Sequence, residues 1–314
     1  MSKVIVTGGA GFIGSGIVRA LLGAGVGRVV VIDNLLSGKE SNLAEVRDSV
    51  DLQVADIRDF DAIAPILQGA DRVFHLAAIP SVPRSISEPV PSHTANIDGT
   101  FNVYRACAEG GVRRVVYAAS SSAYGDTLVL PKTESMVSCP KSPYAAQKLM
   151  GEHYAAVYAA CFGLETVSLR FFNVFGPRQD PSSAYSGVLS LFMKHLLART
   201  PPVIFGDGEQ SRDFTYVEDV AGLCLKASLA DAKVVSGRMY NAGNGGRITL
   251  NETWRLLCGI EGVEIAPKFG PPREGDVRDS QADTAAAVRD LGHAPRFTFE
   301  QGLRLTLEWY RANL

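Results

Sequence analysis

The feature that most constrains the fold is a repeated alternation of short β-branched segments with helical segments. "VIVTGG" and "RVVVID" have the composition of strands that are buried on both faces of a parallel sheet. Between them, "FIGSGIVRALLGAG" has apolar residues at helical spacing and ends in glycines. The same order of strand and helix continues to "ETVSLRFFNVFG". This alternation predicts an α/β fold with a Rossmann-type, doubly wound parallel sheet.

Beyond Gly176 the alternation becomes irregular. Loop-like stretches rich in Pro, Gly and charge separate "VLSLFMKHLLAR" from "FEQGLRLTLEWYRANL", both of which read as helices. We therefore expect two parts, a Rossmann domain over residues 1–175 and a smaller, mixed α/β substrate-binding lobe over residues 176–314. Some later segments are expected to return to the first domain, and the site is expected between the two parts.

Charge and cysteine content narrow the class of protein. The chain has 31 basic and 33 acidic residues and a formal net charge of -2, which gives no electrostatic reason to expect nucleic acid or an anionic membrane as partner. Its five cysteines are scattered and never spaced as C-x-x-C, so we expect buried thiols in a reducing cytosol and no disulfide framework or metal site. No apolar run approaches the ~20 residues of a membrane helix. A cytoplasmic location is predicted.

A glycine-rich turn follows the first predicted strand. In "TGGAGFIG", Gly8, Gly11 and Gly14 are spaced three apart at the start of a helix. Glycines there allow a tight turn, close approach to a pyrophosphate and packing of helix on strand. Asp33 ends the second strand, where a carboxylate accepts hydrogen bonds from an adenosine ribose. The turn and the acid together predict NAD as the cofactor, and Asp56 is expected near the adenine.

A tyrosine and a lysine four residues apart are the candidate catalytic pair. Tyr144 and Lys148 lie on one face of a helix for which Ser142 is the predicted N-cap, Pro143 the first residue and Gly163 the stop. An ammonium near the phenol, with the positive nicotinamide ring nearby, is expected to lower a tyrosine pKa that is normally near 10. Tyr144 is then a plausible base for removing a proton from a sugar hydroxyl.

Seven motifs in order resemble the extended short-chain dehydrogenase/reductase family, and most closely its nucleotide-sugar 4-epimerases. They are "TGGAGFIG", "FHLAA", "SSSAYGD", "YAAQK", "RFFNVFGP", "SRDFTYVEDV" and "REGDVRDS", and the resemblance spans essentially the whole chain. It implies that Ser120 bonds the reacting sugar oxygen, that Tyr144 is the base and that Tyr124 is a packing or substrate-wall residue. Hydride then passes from C4 to NAD and returns to the opposite face of a 4-keto sugar.

The serines of "SSSAYGD" distinguish between reactions of this family. Related 4,6-dehydratases carry acids where this chain has Ser121 and Ser122, and decarboxylating relatives carry a glutamate at the second position. Eliminating water requires an additional positioned acid, whereas moving a hydride out and back does not. The resemblance therefore implies epimerisation.

The resemblance also implies the rest of the site. Asn96 is expected to support the lysine or an active-site water, with a helix cap as the alternative reading. The other positions assigned to NAD are Phe12, Ile13, Asn34, Ser37, Gly38, Ile57, Leu76, Ala77, Ala78 and Phe171. The positions assigned to a UDP-sugar, besides the three serines, are Arg84, Asn173, Val188, Val203, Phe205, Arg212, Arg273, Asp276 and Ser280. Among these, the two arginines 212 and 273 suit a diphosphate, Asp276 the uridine ribose and Phe205 the uracil, although a core phenylalanine is an equal reading.

Two positions bear on the sugar. Ser280 stands where hexose-only bacterial epimerases have a tyrosine, so room for an N-acetyl group is predicted. "SVPRSISEP" resembles the branch that prefers N-acetylhexosamines, whereas Pro80 departs from the glycine usual there. Arg84 is open to two further readings. It could pair with the carboxylate of UDP-glucuronate, which keeps a UDP-glucuronate 4-epimerase or decarboxylase as the alternative enzyme, or it could be a surface cation.

A non-catalytic dinucleotide sensor of the same fold is the alternative outside enzymes, but such sensors usually lack the Tyr/Lys pair. The helices near residues 97–110 and 144–162 carry apolar residues on both sides: Phe101, Tyr104, Leu149, Tyr154 and Val157. In the family these helices pair across a two-fold axis into a four-helix bundle, so a homodimer is predicted.

Overall fold

The computed structural model of the protein describes residues 3–181, 187–272 and 277–313. Its strands are β1 (Val4–Thr7), β2 (Val29–Asp33), β3 (Val50–Val54), β4 (Arg72–His75), β5 (Arg114–Ser120), β6 (Glu165–Phe171), β7 (Val174–Phe175), β8 (Val203–Phe205), β9 (Ser211–Arg212), β10 (Thr215–Tyr216), β11 (Arg238–Ala242), β12 (Ile248–Thr249) and β13 (Lys268–Gly270).

The α-helices are α1 (Phe12–Gly23), α2 (Phe60–Leu67), α3 (Val82–Ser87), α4 (Pro89–His93), α5 (Gly99–Glu109), α6 (Pro143–Phe162), α7 (Val188–Leu197), α8 (Val217–Leu229), α9 (Ala232–Val235), α10 (Leu250–Glu261), α11 (Ala285–Leu291) and α12 (Phe299–Asn313). Short 3₁₀ segments at Glu40–Ser49 and Ser121–Tyr124 and a π turn at Thr94–Asp98 complete the helical structure of the described residues.

The predicted parallel sheet is confirmed. Seven strands lie in the order β11-β6-β5-β4-β1-β2-β3, and each neighbouring pair is parallel. Alternate residues of β1 face opposite layers: Val4 and Val6 pack with α1 and α8, whereas Ile5 packs with α2 and α5. Since both faces are covered by helices, β1 and β2 are buried and almost entirely apolar, as the β-branched segments indicated.

Later segments complete this sheet. β11 pairs with β6, with Ala242 beside Phe171, and α8 packs against α1. Residues 217–242 are therefore part of the Rossmann layers although they follow residue 175 in the chain. A separate apolar cluster, which includes Phe192, Trp254 and Leu307, forms the core of the C-terminal lobe.

Two predicted elements differ in the structure. The segment 165–176 was expected to be one strand, but it divides into β6 and β7 because Asn173 has a positive φ of 30°. The helix expected near residues 97–110 has helical turns before it, because α4 leads through the π turn directly into α5. No helix among the described residues is long and apolar enough to cross a lipid bilayer.

Candidate active site

The glycine turn between β1 and α1 has no room for side chains. Gly8 has a φ of +70°, and a Cβ atom there would lie 2.7 Å from the amide nitrogen of Ala77. A Cβ on Gly14 would lie 2.1 Å from the carbonyl oxygen of Gly8. These approaches require glycine, as the motif predicts, and they bring the backbone of β1, α1 and the residues after β4 together.

The first turn of α1 offers free backbone donors. Gly11 is its N-cap, with no side chain that accepts from the turn, and the turn itself contains no acidic residue. The helix dipole and these N–H groups favour an anion. The turn therefore fits the pyrophosphate of a dinucleotide, and Phe12 and Ile13 lie in the same turn.

Asp33 lies at the carboxyl end of β2 beside this turn. One carboxylate oxygen accepts from the amide of Ala10 at 3.0 Å, and the other from the amide of Leu35 at 2.9 Å. Burial raises the pKa of Asp33, and these two hydrogen bonds oppose the rise. A Cβ on Gly38 would lie 2.8 Å from Asp33 Oδ2, so the loop of Asn34, Ser37 and Gly38 closes over the carboxylate.

Asp56 is held by its neighbours. Arg58 donates to its two oxygens from Nε and Nη2, and Asn34 Nδ2 donates at 2.8 Å. The hydrogen bond from Arg58 holds the pKa of Asp56 well below its usual range. The predicted position near an adenine stays a prediction. Ile57, the next residue, is buried and packs with the core under α2 and α5.

Asn96 was expected to support Lys148 or an active-site water, and that role stays a prediction. Its side chain, 1 % exposed, donates to Gln147 Oε1 at 2.8 Å and exchanges hydrogen bonds with the backbone of Ile79. It lies inside a continuous run of helix, in the π turn, and so is not a cap. Asn96 therefore contacts the neighbour of Lys148 in α6 and fixes the segment that follows Ala78.

The candidate catalytic residues meet at the carboxyl edge of β5. Lys148 Nζ donates to the carbonyl oxygen of Ala118 at 2.8 Å and lies 5.0 Å from the centre of the Tyr117 ring. Ser120 ends the strand, and its hydroxyl is 2.8 Å from that of Ser122. The Ser120 hydroxyl is also close enough to the Tyr144 phenol to stabilise its phenolate. The structure thus joins the first serine of the motif to the tyrosine of α6.

In the absence of NAD, the residues around Tyr144 raise its pKa instead of lowering it. Burial raises the pKa of Tyr144 to about 12, although the Ser120 hydroxyl opposes the rise. Burial also lowers the pKa of Lys148 to about 8, with the carboxylate of Glu152 acting in the opposite direction. Without NAD, desolvation of the phenolate exceeds the stabilisation that Ser120 supplies. The predicted lowering includes the charge of the nicotinamide ring and stays a prediction.

The ends of α6 follow the predicted capping residues. Ser142 Oγ accepts from the amide of Ala145 at 3.2 Å, Pro143 begins the helix, and Gly163 ends it in the left-handed conformation. The amide of Tyr144 donates to Ser85 Oγ at 3.1 Å, a contact that the sequence did not indicate. Ser85 lies in α3, so the segment around Arg84 is fixed against the first turn that carries Tyr144.

A buried polar cluster lies behind the candidate pair. Arg170 donates from two nitrogens to the carboxylate of Glu152, one turn beyond Lys148, and its guanidinium lies 4.3 Å from the centre of the Tyr124 ring. Tyr124 donates to Asn241 Oδ1 at 2.6 Å and is 1 % exposed. Tyr124 is accordingly a packing residue, the first of the two readings of its position.

Several predicted substrate residues share one cavity in the C-terminal lobe. A cavity of about 340 Å³ is lined by Asn173, Val188, Val203, Phe205 and Arg212. Phe205 faces this space from β8 and so is not a core residue. Sequence reasoning missed Gln210 and His195 in the same lining, neither of which stands in a motif with an obvious role.

Asn173 and Ser280 are in contact. Asn173 Nδ2 donates to Ser280 Oγ at 3.1 Å and to the backbone oxygen of Asp213 at 3.0 Å. The positive φ of Asn173 turns the chain out of β6 toward this contact. The remaining two predicted substrate residues, Arg273 and Asp276, lie outside the described residues.

Arg84 is engaged at the surface. Its Nε donates to Glu88 Oε2 at 3.0 Å within one turn, and both side chains are partly exposed. The reading of Arg84 as a surface cation accounts for this geometry.

The chain matches known proteins over its whole length. A family model for NAD dependent epimerases/dehydratases matches residues 4–243. A UDP-glucose 4-epimerase of Mycolicibacterium smegmatis is 38% identical over 313 residues, which cover 98% of each chain. A UDP-N-acetylglucosamine 4-epimerase of Methanobrevibacter ruminantium, solved with UDP-N-acetylmuramic acid, is 38% identical with a TM-score of 0.94, over 100% of this chain and 99% of that one.

A UDP-glucose 4-epimerase of Thermotoga maritima, solved with UDP-glucose, is 37% identical with a TM-score of 0.93 and covers 99% of both chains. The glycine turn, the acid at the end of β2 and the Ser120–Tyr144–Lys148 arrangement agree with these matches. The chain belongs to the NAD dependent epimerase/dehydratase family.

Proposed function

We propose that the protein is an NAD-dependent UDP-sugar 4-epimerase. The observation that carries the proposal is the meeting of the Ser120 and Tyr144 hydroxyls at the carboxyl edge of the sheet, with Lys148 held beneath them by Ala118. Whole-chain similarity to UDP-glucose and UDP-N-acetylglucosamine 4-epimerases supports the reaction and the nucleotide.

Four side chains of the protein have separate roles in the proposed reaction. Tyr144 takes the proton of the sugar 4-hydroxyl, and Ser120 holds that oxygen in place through its own hydroxyl. Lys148, oriented by Ala118, supplies positive charge under the phenol. Ser122 fixes the hydroxyl of Ser120, since their oxygens are 2.8 Å apart.

NAD is the cofactor, and when bound it accepts the hydrogen of C4 and returns it. The glycine turn of Gly8, Gly11 and Gly14 holds its pyrophosphate at the N-terminus of α1. Asp33 orients the adenosine ribose, for which its carboxylate has acceptor positions beyond those used by Ala10 and Leu35. Leu76, Ala77 and Ala78 form the opposite wall after β4.

The cavity of the C-terminal lobe receives the nucleotide. Phe205 packs on the uracil, Arg212 binds the diphosphate, and Val188 and Val203 line the space around them. Asn173 lies where the cavity approaches the sugar end, in contact with Ser280. Arg273 and Asp276 lie outside the described residues, and their roles toward the diphosphate and the ribose stay predictions from the sequence.

Epimerisation is favoured over dehydration by the groups around Ser120. Its neighbours are the hydroxyls of Ser121 and Ser122, and neither side chain provides the acid that elimination of water requires. The alternative of a uronate substrate has less support, because Arg84 already pairs with Glu88.

The sugar pocket accepts N-acetylhexosamines as well as hexoses. Ser280 is small and is held away by its bond with Asn173, so it leaves room beside the sugar that a tyrosine would fill. We therefore propose UDP-glucose/UDP-galactose and UDP-GlcNAc/UDP-GalNAc as substrate pairs.

A homodimer through α5 and α6 is part of the proposal. Phe101, Met150, Val157 and Phe162 are 38%, 41%, 48% and 62% exposed on these two helices, and the Phe101 and Tyr154 rings are 5.7 Å apart. An apolar surface of this kind is typical of a face that another chain covers. Tyr104 is not part of it, since it is fully buried. The cytoplasmic location and the boundary near residue 175 stay predictions from the sequence.

The test is a parallel incubation of the purified protein, without added NAD, with UDP-glucose, UDP-N-acetylglucosamine and UDP-glucuronate. Proton NMR resolves the C4 epimers. We expect conversion of the first two sugars, because bound NAD is regenerated in each turnover. Conversion of UDP-glucuronate alone, or release of carbon dioxide from it, would reject the proposed substrate class, and no conversion of any sugar would reject the activity.

A further inference from the structure

A buried carboxylate that forms no salt bridge within the described residues adjoins Arg212, which lines the cavity. Asp213 follows Arg212 in the chain and is 0 % exposed. Its side chain forms no salt bridge within residues 3–181, 187–272 and 277–313. Burial raises its pKa to about 6, although three backbone amides donate to it and oppose the rise.

The three amides come from two distant parts of the chain. Oδ1 accepts from the amide of Asn244 at 2.9 Å, and Oδ2 accepts from the amides of Gly245 and Ala282 at 3.0 Å each. A Cβ on Gly243 would lie 2.9 Å from Oδ2, so the loop after β11 packs directly on the carboxylate. One side chain thus joins the loop 243–245 to the segment 279–283.

The segment 279–283 carries Ser280 and is also held by Ser211, which donates to Asp279, and by backbone bonds with Lys132. The amide of Ser280 donates to the backbone oxygen of Ser211 at 3.1 Å, and Gln281 Nε2 donates to Gly245 at 2.9 Å. Ser280 Oγ accepts from Asn173, whose amide group also donates to the backbone oxygen of Asp213. Both the side chain and the backbone of Asp213 therefore hold the Asn173–Ser280 contact.

We propose that Asp213 is a positioning residue that sets the sugar end of the substrate site by fixing Ser280 and Asn173 relative to Arg212. This inference rests on the proposed function for the identity of the ligand. The arrangement costs folding stability because a carboxylate is buried with hydrogen-bond donors but, within the described residues, without an opposite charge, and proteins retain such groups where they serve a site. The two oxygens of an ionised carboxylate accept from all three amides at once, which a neutral amide cannot do.

The test compares Asp213→Asn with Asp219→Asn. Asp219 is also a buried carboxylate that accepts from two backbone amides, those of Arg296 at 2.8 Å and Phe297 at 3.3 Å, but neither amide adjoins the cavity. In Asp213→Asn the new NH₂ group opposes at least one N–H donor. We expect its KM for the UDP-sugar to rise about tenfold with kcat within about twofold, as for loss of binding made equally in ground and transition states.

Two further measurements separate positioning from general destabilisation. The thermal midpoint of Asp213→Asn is expected to be no lower than that of Asp219→Asn, whose KM stays that of the wild type. Hydrogen–deuterium exchange is expected to accelerate at the amides of Asn244, Gly245 and Ala282 in Asp213→Asn alone. Given an active wild type, an unchanged KM in Asp213→Asn overturns the proposal. The proposal is also overturned if KM rises in both variants as their thermal midpoints fall.

A different result would reject the proposed function: the wild type would convert no UDP-sugar and would bind no UDP by calorimetry. In that event hydrogen exchange decides the role of Asp213: accelerated exchange limited to these three amides supports its positioning of the two loops, and unchanged exchange rejects it.

Discussion

Lys148 Nζ donates a 2.8 Å hydrogen bond to the carbonyl oxygen of Ala118, two residues before Ser120 on the same strand. This bond ties α6 to the edge of β5, so the residue that carries the ammonium also fixes the distance between the helix of Tyr144 and the strand of Ser120. Because the acceptor is a neutral carbonyl group, it orients the lysine without neutralising the positive charge, which can act on groups above the strand.

Replacement of Tyr144 by Phe removes the proposed base and keeps the ring. Turnover of the UDP-sugar is expected to fall about 10²- to 10⁴-fold, the usual contribution of a positioned acid–base group. Tyr124→Phe is the matched control, because it removes a buried hydrogen bond to Asn241 at a cost of about 1–2 kcal/mol in stability, outside the reacting groups. Initial rates by NMR measure both, and equal rates for Tyr144→Phe and the wild type would refute its role.

The buried Lys148 makes stability depend on pH. Its pKa is lowered from 10.5 in the unfolded chain to about 8 in the folded protein. Between these values the unfolded state binds more protons, so the contribution of Lys148 to folding stability rises with pH through this window. Below pH 8 the cost of burying the charge is fully present, and it is relieved by about 3 kcal/mol toward pH 10.5.

The measurement is urea denaturation of the wild type and Lys148→Met at several pH values from 7 to 10.5. We expect the stability of the wild type relative to the variant to increase across this range. A difference that stays constant with pH would show that the lysine keeps its ordinary pKa in the folded protein.

Ser280→Tyr is expected to narrow the sugar pocket. The catalytic efficiency for UDP-N-acetylglucosamine should fall by more than about tenfold relative to that for UDP-glucose, because a bulky ring occupies the space of the N-acetyl group. Ser280→Ala is the control, since it removes the 3.1 Å bond to Asn173 without filling the pocket, and so should alter both substrates alike. Kinetics with the two sugars distinguish the variants, and an unchanged preference in Ser280→Tyr contradicts the pocket argument.

The apolar surface of α5 and α6 predicts that Val157→Asp dissociates the homodimer. Val157 is 48% exposed, and a carboxylate there would be buried without a partner in a dimer. Light scattering at micromolar concentration should report twice the chain mass for the wild type and the single mass for the variant. Val288→Asp, at a position 50% exposed on α11, should leave the mass unchanged. A wild type of single mass refutes the dimer.

The sequence by itself determined the order of strands and helices, the glycine turn and the caps of α6. These features depend on interactions between residues close in the chain, such as Ser142 with Ala145 and Gly8 with Gly14. Helical spacing was enough to name Tyr144 and Lys148 as a pair, and the family resemblance added Ser120 to them.

Only the tertiary structure decided which distant residues complete that edge. Asn173 meets Ser280 across 107 residues, and Asp213 joins two loops whose amides carry no signal in the sequence. The tertiary structure also determines the pKa of Tyr144, because desolvation depends on everything packed around the phenol. This desolvation is larger than the opposing effect of Ser120. Burial and long-range hydrogen bonds from backbone amides depend on residues that are distant in the sequence. They therefore cannot be read from a residue and its neighbours in the chain.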